Sequence, residues 1–122
     1  MTEARRDPAI RVSAMPADTN AYGDIFGGWL VSLMDSGAGL VASKHARGRA
    51  VTVAMDGMQF LSPVKVGDEV SVYGEIKHVG RTSMTIAVEA WRRHRTELEE
   101  VKVTEAVFTF VAIDEAGKPR VI

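Results

Sequence analysis

Residues 25–46, IFGGWLVSLMDSGAGLVASKHA, are the longest apolar stretch of the chain, and the fold turns on how they are read. From Ile25 to Ser43 the only charge is Asp35. A run of about 19 residues reaches the length of a membrane span. Against that reading stand Gly27, Gly28, Gly37 and Gly39, three serines and the carboxylate near the middle, which by itself costs about 2.5–3.5 kcal/mol to insert. A helix buried in a globular domain is the better account, and no membrane insertion is expected. Asp24 is placed to cap its start, Lys44, His45 and Arg47 complement the dipole at its end, and Gly48 closes it. Such a helix is apolar nearly all round, so one sheet face cannot cover it; a wrapping sheet or a second subunit must shield the rest.

On either side of the helix the pattern changes to a period of two. Residues 9–15 (AIRVSAM) alternate in part and predict a short strand, and residues 16–24 (PADTNAYGD) a loop. After the helix come four predicted strands, over residues 50–61, 69–79, 82–94 and 101–113. The third alternates best, with Met84, Ile86, Val88 and Ala90 on one face. Turns are expected at residues 66–68 and 80–81, a charged hairpin end at 95–100, and a polar tail in DEAGKPR. Residues 1–8 read as a flexible arm and 9–122 as a single domain. The order β-α-β-β-β-β, with consecutive strands mostly linked as hairpins, predicts an α+β fold: an antiparallel sheet with the helix on one face.

Composition narrows the function classes. The 122 residues carry 15 Lys and Arg against 16 Asp and Glu, a net charge of −1, which gives no reason to expect nucleic acid or an anionic membrane as partner. There is no Cys, which removes disulfides, thiolate nucleophiles and zinc-thiolate or iron–sulfur sites together. No apolar region follows the Arg5-Arg6 pair, so no secretory signal is expected, and a reducing, cytoplasmic setting is compatible with the sequence. His45, His78 and His94 lack metal-ligand spacing and are expected at the surface, and no serine sits in a G-x-S-x-G elbow. The basic cluster at Arg92, Arg93, His94 and Arg95 is followed by Glu97, Glu99 and Glu100, which points to a solvated hairpin end rather than a nucleic-acid patch.

Two features of the helix carry chemistry. A carboxylate on an apolar helix is costly to desolvate unless it is paired, so Asp35 is either a loop-capping or solvent-facing group or a general base. Gly27 and Gly28 at the helix start are either a plain turn or an open approach to unpaired N–H groups able to hold an oxyanion. Gly28 and Asp35 lie seven residues apart on one face, about 10 Å along the axis, too far for one helix to serve a single small centre. Two helices antiparallel about a two-fold axis would bring Asp35 of one copy to Gly28 of the other. Gly80-Arg81-Thr82-Ser83 is a turn offering a cation and two hydroxyls, suited to a phosphate or to nothing in particular.

The stretch from Met15 to Trp29 (MPADTNAYGDIFGGW), followed by Met34-Asp35, resembles the hotdog-fold acyl-CoA thioesterases of the YciA type. VTVAMDGM at 51–58, Phe60-Leu61, PVKVGD at 63–68, GRTS at 80–83 and FTFVA at 108–112 extend the likeness over roughly residues 9–120. The resemblance implies a hotdog fold, with a curved antiparallel sheet wrapped around one long helix, and homodimers sharing active sites, assembled as trimers of dimers. It implies hydrolysis of fatty acyl-CoA to free fatty acid and CoA, with no metal and no cofactor beyond the coenzyme A of the substrate. Asp35 matches the catalytic carboxylate, Asn20 a loop residue that places the water or the thioester from the partner subunit, and Gly27 and Gly28 the segment that polarises the carbonyl. Arg81, Thr82 and Ser83 match a segment contacting CoA, and Tyr22 stands where it would narrow the acyl entrance. The alternative is a non-catalytic acyl-CoA-binding module or sensor, which would need neither Asp35 nor Asn20. A hotdog dehydratase would want a histidine near the helix, and none lies between residues 9 and 44.

Overall fold

The structure, a computed structural model, describes residues 6–122. Its elements are β1 (Ile10–Ser13), a single 3-10 turn (Pro16–Asp18), α1 (Gly27–Ala46), β2 (Ala50–Phe60), β3 (Glu69–Val79), β4 (Ser83–Arg93) and β5 (Val101–Ala112). The order of elements is the expected one. Of the arm expected over residues 1–8, the first five lie outside the described residues; the Arg6 guanidinium lies 4.0 Å from the centroid of the Tyr73 ring and pairs with Glu89 at 3.0 Å.

All strands join one antiparallel sheet in the order β1-β3-β4-β5-β2. β3, β4 and β5 follow one another as hairpins, as their alternation suggests. β2 is the exception among the strands after the helix: it lies beside β5, at the opposite end of the sheet from β1. At about 1.5 Å per residue the 20-residue helix is about 30 Å long, enough to carry the chain across the sheet face from β1 at one edge to β2 at the other.

The core is the interface between α1 and the inward face of the sheet. Leu30, Met34, Ala38, Ala42 and Ala46, each four residues after the last, meet Met84, Ile86, Val88 and Ala90 of β4 and Phe108 and Phe110 of β5. Gly37 has a steric reason: a Cβ there would stand 2.8 Å from Val72 Cγ1, so only glycine lets the helix lie this close to β3. The outward helix face is less apolar than the composition of the helix as a whole. Gly28, Ser32, Ser36 and Ser43 are exposed beside Leu40, Lys44 and His45, so small, hydroxyl-bearing and charged residues make up most of that face at helical spacing.

Both helix ends differ from expectation. The N-cap is Phe26, in extended backbone, with no side-chain cap; Asp24 lies two residues too early. At the other end Arg47, not Gly48, takes the left-handed conformation (φ 55°). A Cβ at Gly48 would meet Arg120 Nη2 at 2.7 Å, the mobile end of a long side chain that packs beside it. That guanidinium donates to the Ala46 carbonyl at 2.6 Å and to the Ile113 carbonyl at 3.3 Å. The polar tail is thus a clamp on the end of the helix, satisfying a carbonyl the helix itself leaves unpaired.

On the outer face Glu89 sits among Trp91, Arg6 and Lys102. Burial pushes its carboxyl up, but hydrogen bonds from Trp91 and Arg6 and the Lys102 charge outweigh this and hold it below the usual glutamate value. Arg92, Arg93, His94 and Arg95 are also engaged: Arg93 pairs with Glu69, Arg92 with Ser62, His94 with Asp68 at 2.6 Å, and Arg95 with Ser13. His94 is therefore half-buried and bonded, not the free surface residue expected from its spacing.

Candidate active site

β2 has a sheet neighbour on one side only. Its 11 residues leave a row of backbone groups unpaired, and Val51, Val53 and Met55 are exposed along it. Its pairing with β5 breaks twice, between Thr52 and Ala54 and between Asp56 and Gln59, where Gly57 adopts φ 72°. The first break lies beside Thr52, and bulges of this kind re-aim a neighbouring side chain. Thr52 Oγ1 donates a hydrogen bond to Asp35 Oδ1 at 2.5 Å. One carboxylate oxygen is thereby held, and the other remains able to accept.

Asp35 and Gly28 line the same open concavity of about 340 Å³, together with Val31, Ser32, Thr52 and Met55. They stand two helical turns apart along it. At the Gly28 end the helix start is uncapped: Trp29 N–H returns to the Phe26 carbonyl at 3.1 Å, while Gly27 and Gly28 N–H meet no acceptor among the described residues. The concavity therefore joins a carboxylate acceptor at one end to free amide donors near the positive end of the helix dipole at the other. Gly27 faces elsewhere, against the Phe60 ring, where a Cβ would lie 3.1 Å from Cζ.

Asn20 is not among the residues around Asp35 and Gly28 of its own chain. Its Oδ1 accepts from Tyr22 N–H at 2.8 Å and Asp24 N–H at 3.1 Å, and its own N–H donates to the Asp24 carbonyl at 2.7 Å. Both side-chain partners are N–H donors, which fixes the amide orientation and leaves its Nδ2 hydrogens as the groups free for a ligand. Tyr22, in the same loop, is 90% exposed.

Residues 81–83 form the β3–β4 hairpin. Gly80 N–H closes it on the Ser83 carbonyl, and the Arg81 and Thr82 carbonyls accept from Ile122 and Ala112. Arg81 is exposed, and its guanidinium has no partner among the described residues. Ser83 is opposite Val111, which in turn is opposite Val51, so the hairpin lies about 10 Å, two strand spacings, from the residue beside Thr52. Thr52 escaped sequence reading because a threonine between two valines looks only like a strand former. Among the described residues no three His, Asp or Glu side chains converge as metal ligands, and no helix is long and apolar enough to cross a membrane.

Comparison with known proteins gives a consistent answer. Residues 22–99 match the family model of the thioesterase superfamily. The chain is 59% identical over 113 residues to an uncharacterized acyl-CoA thioester hydrolase of Zymomonas mobilis, covering 93% of this chain and 76% of that one. It is 50% identical over 119 residues to the acyl-CoA thioester hydrolase YciA of Escherichia coli, covering 95% and 90%. Among solved structures, the hexameric thioesterase y2039 of Yersinia pestis superposes with a TM-score of 0.91 at 50% identity over 98% of both chains. An acyl-CoA hydrolase of Staphylococcus aureus, solved with butyryl-CoA and CoA, has a TM-score of 0.85 at 31% identity over 92% of this chain and 68% of that one. The same hydrolase was also solved as alanine variants of one aspartate and of one asparagine, fifteen positions apart. The chain belongs to the thioesterase superfamily, with the hotdog fold of its YciA-type acyl-CoA thioester hydrolases.

Proposed function

We propose that this enzyme hydrolyses fatty acyl-CoA to free acid and CoA, in sites shared between two copies of the chain. The observation that carries the reading is Asp35, oriented by Thr52, in a concavity that opens on the unpaired β2 edge and ends at free Gly28 N–H. Pairing of two β2 edges would satisfy that row of backbone groups and set the helices antiparallel, so that Asp35 of one copy serves the helix start of the other. The hexameric state of the Yersinia relative supports assembly of such dimers in threes. The asparagine–aspartate separation in the Staphylococcus hydrolase equals that between Asn20 and Asp35 here, which supports a joint role for the two.

In this mechanism the thioester carbonyl accepts a hydrogen bond from Gly28 N–H. The free oxygen of the partner copy's Asp35 takes a proton from water, whose oxygen attacks the carbonyl carbon. Charge develops on the carbonyl oxygen against the positive end of the helix dipole. The C–S bond then breaks, the sulfur leaves as the CoA thiolate and is protonated, and the acid is released. Asn20 acts through its Nδ2 hydrogens as a donor, on the water or on the carbonyl. A route through an acyl-Asp35 anhydride uses the same groups; after single turnover in ¹⁸O-water, label in Asp35 marks an anhydride opened at the Asp35 carbonyl, whereas direct attack puts the label in the acid alone. The basic test is thiol release from a panel of acyl-CoAs, read with a thiol reagent that finds no Cys in the protein.

Thr52→Val keeps the side-chain shape and removes the donor to Asp35. The expected result is a fall in kcat of about tenfold with little change in KM, restored by Thr52→Ser, because orientation of the base matters mainly in the transition state. A Thr52→Val enzyme with full kcat would show that Asp35 needs no such holding. Arg81→Ala is expected to raise KM for CoA esters several-fold at low salt and by much less at high salt, since an exposed phosphate contact is screened. A salt-independent, unchanged KM would return Arg81 to an ordinary turn residue.

A further inference from the structure

The N-cap of α1 holds the wrong kind of residue for a cap. Helices favour Ser, Thr, Asp or Asn there, because the side-chain oxygen accepts a hydrogen bond from the second or third amide of the helix. Here the position is taken by Phe26, in extended backbone (φ −81°, ψ 150°), and no side chain bonds the first turn. The first turn also has no acidic residue, although a carboxylate would gain there from the helix dipole. Trp29 stands at the third helical position, where a capping box would place Glu or Gln. Its N–H already returns to the Phe26 carbonyl at 3.1 Å. Gly28 N–H is therefore the amide that an acceptor at position 26 would take.

The omission is local. Away from the proposed site the same chain caps backbone amides readily. Asp18 Oδ2 accepts from Met15 N–H at 2.9 Å, Asp68 Oδ2 from Lys65 N–H at 2.9 Å, and Asp114 Oδ1 from both Ala116 and Lys118 N–H at 2.9 Å. In the loop leading to the helix, Asn20 Oδ1 is taken up by Tyr22 and Asp24 N–H. Phe26 is itself held in place, its N–H donating to the Asp18 carbonyl at 3.3 Å. Its ring lies beside Gly28, where an added Cβ would meet Cε2 at 3.0 Å and Cδ2 at 3.2 Å. The cap position thus sets hydrocarbon, not an acceptor, next to the amide.

We infer that Phe26 is a positioning residue of the proposed reaction: by withholding a capping oxygen it keeps Gly28 N–H vacant for the thioester carbonyl, and the helix is less stable for it. The inference rests on the hydrolase reading above. A capping oxygen and a developing oxyanion compete for one donor. A cap must be broken before the carbonyl can use the amide, which for a cap of typical strength slows turnover by about tenfold.

The test compares Phe26→Ala, which removes the ring and adds no acceptor, with Phe26→Ser and Phe26→Asn, which each add one. Thermal melting and thiol release from butyryl-, octanoyl- and palmitoyl-CoA are read for every variant. Relative to the alanine variant, the serine and asparagine variants are expected to melt a few degrees higher. Their kcat is expected to be lower by about tenfold, with KM changed by no more than about twofold. Phe26→Asp, which also sets a negative charge beside the developing oxyanion, falls further. A side chain that only shaped the fold would move stability and turnover together; here the more stable variant is the slower one. Serine and asparagine test the point separately, so the failure of one to fold leaves the other. Capped variants that melt higher yet keep the kcat of the alanine variant overturn the inference, as do variants that melt no higher, since no cap has then formed. If the unaltered enzyme hydrolyses none of the three esters, the hydrolase reading and the inference fall together; if it hydrolyses them and the capped variants are no slower than alanine, only the inference falls.

Discussion

Asp35→Asn is expected to lower turnover by about 10²–10⁴-fold while leaving the fold intact. The loss is the share usual for a positioned general base, about 3–5 kcal/mol of barrier. The substitution is informative because it changes little else. An amide has the shape of a carboxylate, its oxygen can still accept the hydrogen bond from Thr52, and the site is half-exposed, so no buried charge is orphaned. What disappears is the ability to take a proton from water. Steady-state thiol release together with a thermal melt checks both halves of the prediction. Near-full activity in a folded Asp35→Asn enzyme would remove Asp35 from the reaction.

Mixed assemblies test whether sites are shared, and the expected signal is a recovery from nothing. Asp35→Ala removes the base; Gly28→Val sets a branched side chain where the carbonyl must approach the helix start, beside the Phe26 ring that already lies 3.0 Å from a Cβ position there. Each variant alone is expected to be nearly inactive. When the two are unfolded together in equal amounts and refolded, half the dimers are mixed, and each mixed dimer has one site built from an intact Asp35 of one copy and an intact Gly28 of the other. Activity should recover to about a quarter of that of the unaltered protein, as two-fold symmetry requires. If both groups served within one chain, every site in the mixture would carry one lesion and the recovery would be absent.

Much of this was legible in advance, at the level of single elements. The alternation of Met84, Ile86, Val88 and Ala90 marked the inward face of β4, and all four are fully buried. Hydrophobic period reports which way a strand faces, but it carries no information on which strands are neighbours, so nothing in the pattern of β2 places it beside β5, where it stands. The helix ends were misjudged for a related reason. Asp24 and Gly48 are the right residue types for caps, but the loop backbone puts Phe26 at the N-cap, and the C-terminal Arg120 claims the space beside Gly48. His94 looked free because its partner, Asp68, is 26 residues away in the chain.

By itself the sequence determined a single long helix amid strands, a carboxylate on that helix two turns from paired glycines, and a family likeness dense enough to imply the hotdog fold. These follow from local properties: side-chain period, glycine content and the order of short motifs. Tertiary structure alone decided that α1 crosses the sheet to leave β2 with an open edge, that Thr52 comes to hold Asp35, and that Gly28 and Asp35 come to line one concavity. Each depends on segments distant in the chain being brought together by burial of one helix face, and no local pattern of residues encodes which distant partner that burial will select.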